Sequence, residues 1–99
     1  MVKTPLGFRV RVYHSNWERI IKLKHPVMEG KEDEVKKALA APDEIRLSKI
    51  DSSVCLFYLA QGSGHWVCAV SKHLDEEEGF LITAYITDAI KEGKRIWTR

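Results

Sequence analysis

The sequence predicts a single α+β domain: an N-terminal strand and two short helices packed on a four- to five-stranded antiparallel sheet. Period-two alternation at the N-terminus, two stretches of helical spacing before residue 42, and a succession of strand-like segments after it carry that prediction. Ninety-nine residues leave room for one hydrophobic core.

Phe8, Val10 and Val12 alternate with Arg9, Arg11 and Tyr13, the pattern of a half-buried strand over 8–13. Ser15-Asn16-Trp17-Glu18 has the form of a capping box, and Trp17, Ile20, Ile21 and Lys24 follow at helical spacing. That helix ends at Lys24, because Pro26 disfavours helical geometry at His25. A second helix spans Lys31 to Ala40, with Glu32, Asp33 and Glu34 suiting its positive end and Pro42 stopping it. Ile45, Leu47 and Ser48 then suggest a strand, and Val54-Cys55-Leu56-Phe57-Tyr58-Leu59, apolar on both faces, a central one. His65 to Lys72 and Phe80 to Ile86 read as further strands around an acidic turn at Asp75 to Glu78. Thr87 or Asp88 caps a single helical turn through Ile90 and Lys91, Gly93 closes it, and Arg95 to Trp97 adds a last strand.

The 44% hydrophobic and 30% charged content excludes wholesale disorder. The longest apolar run, Val54 to Ala60, is far short of a membrane span, and no signal-peptide core opens the chain, so a soluble, cytoplasmic protein is expected. A core of this size cannot enclose a large cofactor, and none is expected; a substrate must bind on a face or in a groove.

The net charge of +2 hides an asymmetry. Residues 1–25 carry six basic side chains and one acid, residues 51–90 one basic and six acids, and residues 91–99 four basic and one acid. If the two ends lie side by side they form one basic surface suited to a polyanion; otherwise they are solvated charge. Cys55 and Cys68 fall on strands joined by the loop Gln61 to Gly64, and a symmetric hairpin sets them opposite one another. In a reducing compartment they serve as small buried hydrophobes, and no metal-ligand spacing accompanies them.

Ile82-Thr83-Ala84-Tyr85 is the sharpest local feature. On a strand, Ile82 and Ala84 point one way and Thr83 and Tyr85 the other, giving two hydroxyls on one face. Such a pair can hold a phosphate, although Thr and Tyr are also favoured strand residues. His25, at a helix end within a turn of Arg19 and Lys22, suits a general base; a histidine before proline also serves as a packing residue. Lys72 is the only basic residue between Lys49 and Lys91, and it either neutralises a phosphate or pairs with the acidic turn. Tyr58, Trp66 and Trp97 are candidates for stacking on a base or for the core. No phosphate-binding glycine loop, nucleophile elbow or zinc helix occurs. What remains for a small basic surface is cleavage of RNA by its own 2′-hydroxyl, which needs a base, an acid and groups on the phosphate.

The ordered series His25-Pro26, Pro42-Asp43, Phe57-Tyr58, Val70-Ser71-Lys72, Ile82-Thr83-Ala84-Tyr85, Thr87-Asp88, Lys91-x-Gly93 and Ile96-Trp97 resembles the barnase/EndoU/colicin/RelE-like ribonuclease superfamily, and within it a phage- and mobile-element-associated branch of small proteins. The resemblance spans residues 17–97 and implies a RelE- or barnase-like fold and a metal-independent endoribonuclease, often a toxin, with an antitoxin or immunity protein as partner. It implies His25 as the helix-borne acid/base, Thr83 and Tyr85 as the hydroxyl pair, and Lys72, Arg46 and Lys91 as cations on the phosphate. Arg19, Tyr58 and Trp97 complete the expected RNA contacts. Two departures bear on it: the sheet region is acidic, which argues against action on the ribosome, and a second motif histidine is missing. The competing expectation is a non-catalytic RNA- or protein-binding module that uses Arg9, Arg11 and Arg19.

Overall fold

The computed structural model describes residues 1–62, 64–90 and 92–99. The chain is α+β, as expected, but its sheet has seven strands and is mixed. The strands are β1 (Val2–Lys3), β2 (Arg9–Arg11), β3 (Glu44–Leu47), β4 (Val54–Ala60), β5 (Trp66–His73), β6 (Glu78–Thr87) and β7 (Lys94–Thr98), in the spatial order β1-β2-β6-β5-β4-β3-β7. β2 runs parallel to β6, pairing Val10 with Gly79, and every other neighbouring pair is antiparallel. The expected N-terminal strand is thus shorter than predicted and belongs to the sheet. Alternation at Phe8 and Val10 reveals a buried face but not which distant strand will supply the hydrogen bonds.

Helix α1 (His14–Arg19) starts one residue before the expected cap. Tyr13 is the N-cap, no side chain caps the end, and Ser15 lies inside the first turn, so the capping box does not form. Asn16 instead donates from Nδ2 to the carbonyl of Leu81, tying α1 to β6. The helix continues as a π-helical turn over Ile20–Lys24, in which the His25 amide reaches back five residues to the Ile20 carbonyl at 2.7 Å. A 3-10 turn, Pro26–Met28, follows, and α2 (Glu32–Ala40) matches its prediction to within a residue.

The N-terminal elements bury Phe8, Val10, Trp17, Ile20, Met28, Val35, Ala38 and Leu39 against one face of the sheet, where they meet Ile45, Phe57, Leu59, Val67, Ala69, Leu81 and Ala84. Each large side chain removed from water here contributes about 1.5–3 kcal/mol. The opposite face carries a smaller cluster, Leu56, Tyr58, Cys68 and Val70.

Three further expectations are corrected. Cys68 stands opposite Tyr58 and Cys55 opposite Ser71, a register three residues away from the symmetric hairpin. An odd shift reverses faces, so Cys55 joins the helix-side core and Cys68 the opposite cluster. At β6 a bulge between the Val70–Thr83 and Ser71–Leu81 pairs leaves Ile82 unpaired, and Ile82 packs on the same side as Tyr85 while Ala84 is core. No helical turn follows Thr87 among the described residues. There the Thr87 hydroxyl donates to the Ala89 carbonyl at 3.0 Å, and the chain passes to β7.

That passage positions the functional face. β6 and β7 are separated by β5, β4 and β3, a distance of about 19 Å at normal strand spacing. The chain between Thr87 and Lys94 spans that separation, and its described residues, 88–90 and 92–93, lie along a strap across the sheet. Ile90 packs on the Tyr58–Cys68 cluster and Arg46 Nη1 holds the carbonyl of Gly93 at 3.2 Å, which places the strap on the face away from the helices. The basic ends do not merge in the sheet, since β1 and β7 form its two opposite edges.

Candidate functional site

The face crossed by the strap is organised in rows. Tyr85, Cys68 and Tyr58 lie side by side across β6, β5 and β4, and Thr83, Val70, Leu56 and Arg46 form the next row. The pairing is regular from Thr83 to Tyr85, beyond the bulge, so both stand on this face, as their spacing predicts. A groove of about 430 Å³ opens over the second row. Its floor is Val54, Leu56 and Val70, one wall is His25, Thr83 and Tyr85, and the other is Ser48 with Glu92 of the strap.

The π-helical turn spends five residues on a circuit that an α-helix closes in four, and His25, which ends it, lines the groove. Pro26 then holds it out of the helical region at φ −139° and ψ 76°. Its ring centroid is 5.8 Å from that of Tyr85, sixty residues away in sequence. Burial is the main reason the Tyr85 phenol is pushed far above its ordinary range, and the neighbouring Cys68, Tyr58 and Glu92 add to it. Tyr58 is pushed up in the same way. Tyr85 is therefore a proton-bearing hydrogen-bond donor at any physiological pH. The Thr83 hydroxyl oxygen is buried without a hydrogen-bond partner among the described residues, so it retains a donor for a ligand.

The remaining predicted residues are placed unevenly. Lys72 shares this face beyond Val70, and its ammonium lies 3.5 Å from Asp51. Arg46 borders the groove with its guanidinium on Glu44 and Gly93. Tyr58 is 2% exposed, a support beneath the site rather than a surface for stacking. Trp97 pairs with Ile45 and packs on the helix-side core, away from the groove, because β7 presents alternate residues to opposite faces. Trp66 is the tryptophan on the groove's face. Arg19 is exposed at the end of α1, and Lys91 lies outside the described residues.

Glu92 and Ser48 were not anticipated from the sequence. Glu92 sits inside the Lys91-x-Gly93 motif, but only the crossing of the strap brings it over the sheet. Ser48 faces the groove after β3 and accepts the amides of Ile50 and Asp51 at 3.2 and 3.3 Å. No helix of the described residues is long and apolar enough to cross a membrane. No family model, curated protein or solved structure matches this chain.

Proposed function

We propose that the groove is the active site of a metal-independent endoribonuclease of the RelE- and barnase-like kind, a toxin held in check by an antitoxin or immunity protein. The convergence of His25 and Tyr85, from distant parts of the chain, beside the unpartnered hydroxyl of Thr83 carries this reading. His25 accepts the 2′-hydroxyl proton, the 2′-oxygen attacks phosphorus, and the bond from phosphorus to the 5′-oxygen breaks. The departing oxygen takes its proton from the imidazolium formed in the first transfer, so one histidine serves both steps and no second motif histidine is required. Tyr85 and Thr83 donate to the phosphoryl oxygens as charge builds on them. Lys72 adds a cation, because its pair with Asp51 is solvent-screened and weak and a phosphate competes for it readily.

The test is an RNA-cleavage assay in EDTA with product ends mapped. The expected products are 2′,3′-cyclic phosphates and 5′-hydroxyls, with rates reduced at least about 100-fold by His25→Ala. Cleavage at the wild-type rate by both His25→Ala and Tyr85→Phe would sink the proposal.

One observation favours a non-catalytic RNA-binding module instead: Arg46 and Lys72, the cations placed on the sheet beside the groove, both already hold carboxylates. That reading expects salt-sensitive RNA binding without cleavage, weakened by substitution of Arg9, Arg11 or Arg19.

A further inference from the structure

A second cleft of about 320 Å³ adjoins the groove and shares Ser48 and Glu92 with it; Lys49, Ile50 and Gly93 complete it. Its outer bank is the turn from Ser48 to Ser53, and two side chains organise that turn. Ser48 Oγ accepts the amides of Ile50 and Asp51, while Asp51 Oδ1 accepts the amide of Ser53 at 2.9 Å and its hydroxyl at 2.6 Å. Backbone hydrogen bonds from Ser48 to the Val54 carbonyl and from Val54 to the Asp51 carbonyl close it.

This ordered turn holds Ile50 99% exposed, the most exposed large hydrophobic side chain among the described residues. With the backbone of the turn already ordered by hydrogen bonds, less freedom is left for binding to remove, which favours the use of this apolar side chain as a contact. Lys49 stands next to it with no carboxylate within ion-pair distance among the described residues, unlike Arg46 and Lys72. The inner bank is fixed by Gly93. Its φ of +82° and the Leu47 carbonyl, 2.6 Å from where a Cβ would stand, bring the strap hard against β3, with Glu92 lining the cleft.

We infer that this cleft is a subsite for the nucleotide adjoining the one that reacts at His25. Ile50 supports the face of its base, Lys49 meets its phosphate, and the Glu92 carboxylate accepts a hydrogen bond from an exocyclic amino group. The inference rests on the groove being an RNA site. It adds that the ligand is a single strand of at least two nucleotides, and that cytidine is preferred to uridine at the second position, because cytosine presents an amino donor to the carboxylate where uracil presents the O4 acceptor, which the carboxylate repels.

The experiment measures binding of full-length protein to a 2′-O-methyl tetranucleotide, which lacks the attacking hydroxyl, and to a single nucleoside 3′-phosphate. Ile50→Asp and Lys49→Ala are each expected to weaken the tetranucleotide about tenfold and to leave the mononucleotide unchanged. Both positions are exposed, so folding is not at issue, and circular dichroism verifies it. Replacing cytidine by uridine at the second position weakens wild type, and Glu92→Gln narrows that difference. Equal tetranucleotide binding by wild type and both variants overturns the subsite, and so does failure of wild type to bind any oligonucleotide. Cleavage is scored separately. Ile50-dependent binding without cleavage keeps the subsite and removes the ribonuclease reading, while cleavage with Ile50-independent binding does the reverse.

Discussion

Nε2 of His73 lies 3.2 Å from Sγ of Cys55, on the helix-side face of the sheet and so on the opposite side from the groove. The ring of Phe8 covers the imidazole with centroids 3.8 Å apart. Burial holds the His73 pKa below its ordinary 6.5, so near that pH the unfolded chain binds the proton more readily than the folded one. Stability is then full above pH 6.5 and declines as the pH falls below it. Urea unfolding followed from neutral to mildly acidic pH is expected to show this decline, and His73→Phe to flatten it. A variant that keeps the whole decline would show that other groups are responsible. The carboxylates of Asp51 and Asp75, lowered mainly by hydrogen bonds from Ser53 and from the Glu77 and Glu78 amides, lose their contribution only as the pH falls through and below 3.8.

The two thiols are expected to be inert. Burial pushes Cys55 up to about 11 and Cys68 up to about 12, leaving almost no thiolate near neutrality. Native protein treated with iodoacetamide should show almost no modification by mass spectrometry, and urea-unfolded protein two adducts. Because the cysteines lie on opposite faces, mild oxidation should give no intramolecular disulfide. A cross-linked monomer would contradict the register.

Gly79 is buried in β6, and a Cβ there would stand 2.6 Å from the Lys72 carbonyl oxygen, a backbone atom with no freedom to move aside. Gly79→Ala is expected to cost about 1–3 kcal/mol, read as a lower midpoint of thermal unfolding. Gly93→Ala meets the Leu47 carbonyl and also carries an unfavourable positive φ, so it should cost at least as much and loosen the strap over the groove. Gly62→Ala, with open space around its Cβ, supplies the control for positive φ alone.

The raised pKa of Tyr85 predicts that its phenol still donates above pH 10.0. Removing Tyr85 should then leave tyrosinate absorbance just above that pH unchanged. It should lower RNA cleavage about 10- to 100-fold without altering the alkaline side of the rate profile. A profile whose alkaline limb disappears in Tyr85→Phe would show a phenol that titrates within the working range.

Much of the fold is legible along the chain. The alternation at Phe8 and Val10, the acidic first turn of α2 and the β-branched and aromatic runs of β4 to β6 all respond to local periodicity, and the structure follows them. Pro26 announces the corner at His25, and the spacing of Thr83 and Tyr85 puts both on one face. What escapes is decided between distant segments. The parallel pairing of β2 with β6 and the passage from β6 to β7 depend on strand order, which no local pattern encodes, and Glu92 enters the site only through that passage. The bulge at Ile82, one extra residue, and the register of the β4–β5 hairpin, three residues from the symmetric one, are settled where the apolar character of both strand faces leaves alternation too weak to choose.

The π-helical turn at Ile20–Lys24 holds one more residue than an α-helical turn between the same two hydrogen-bonded ends. Deleting one of its exposed residues, Lys22, Leu23 or Lys24, would let an α-helical bond close the turn between those same two ends. The corner at His25 and Pro26 would keep its place, and the helix-side core, with Ile21 on it, would stay packed. A change of one codon in this stretch is therefore absorbed inside the turn and does not reach the wall of the groove.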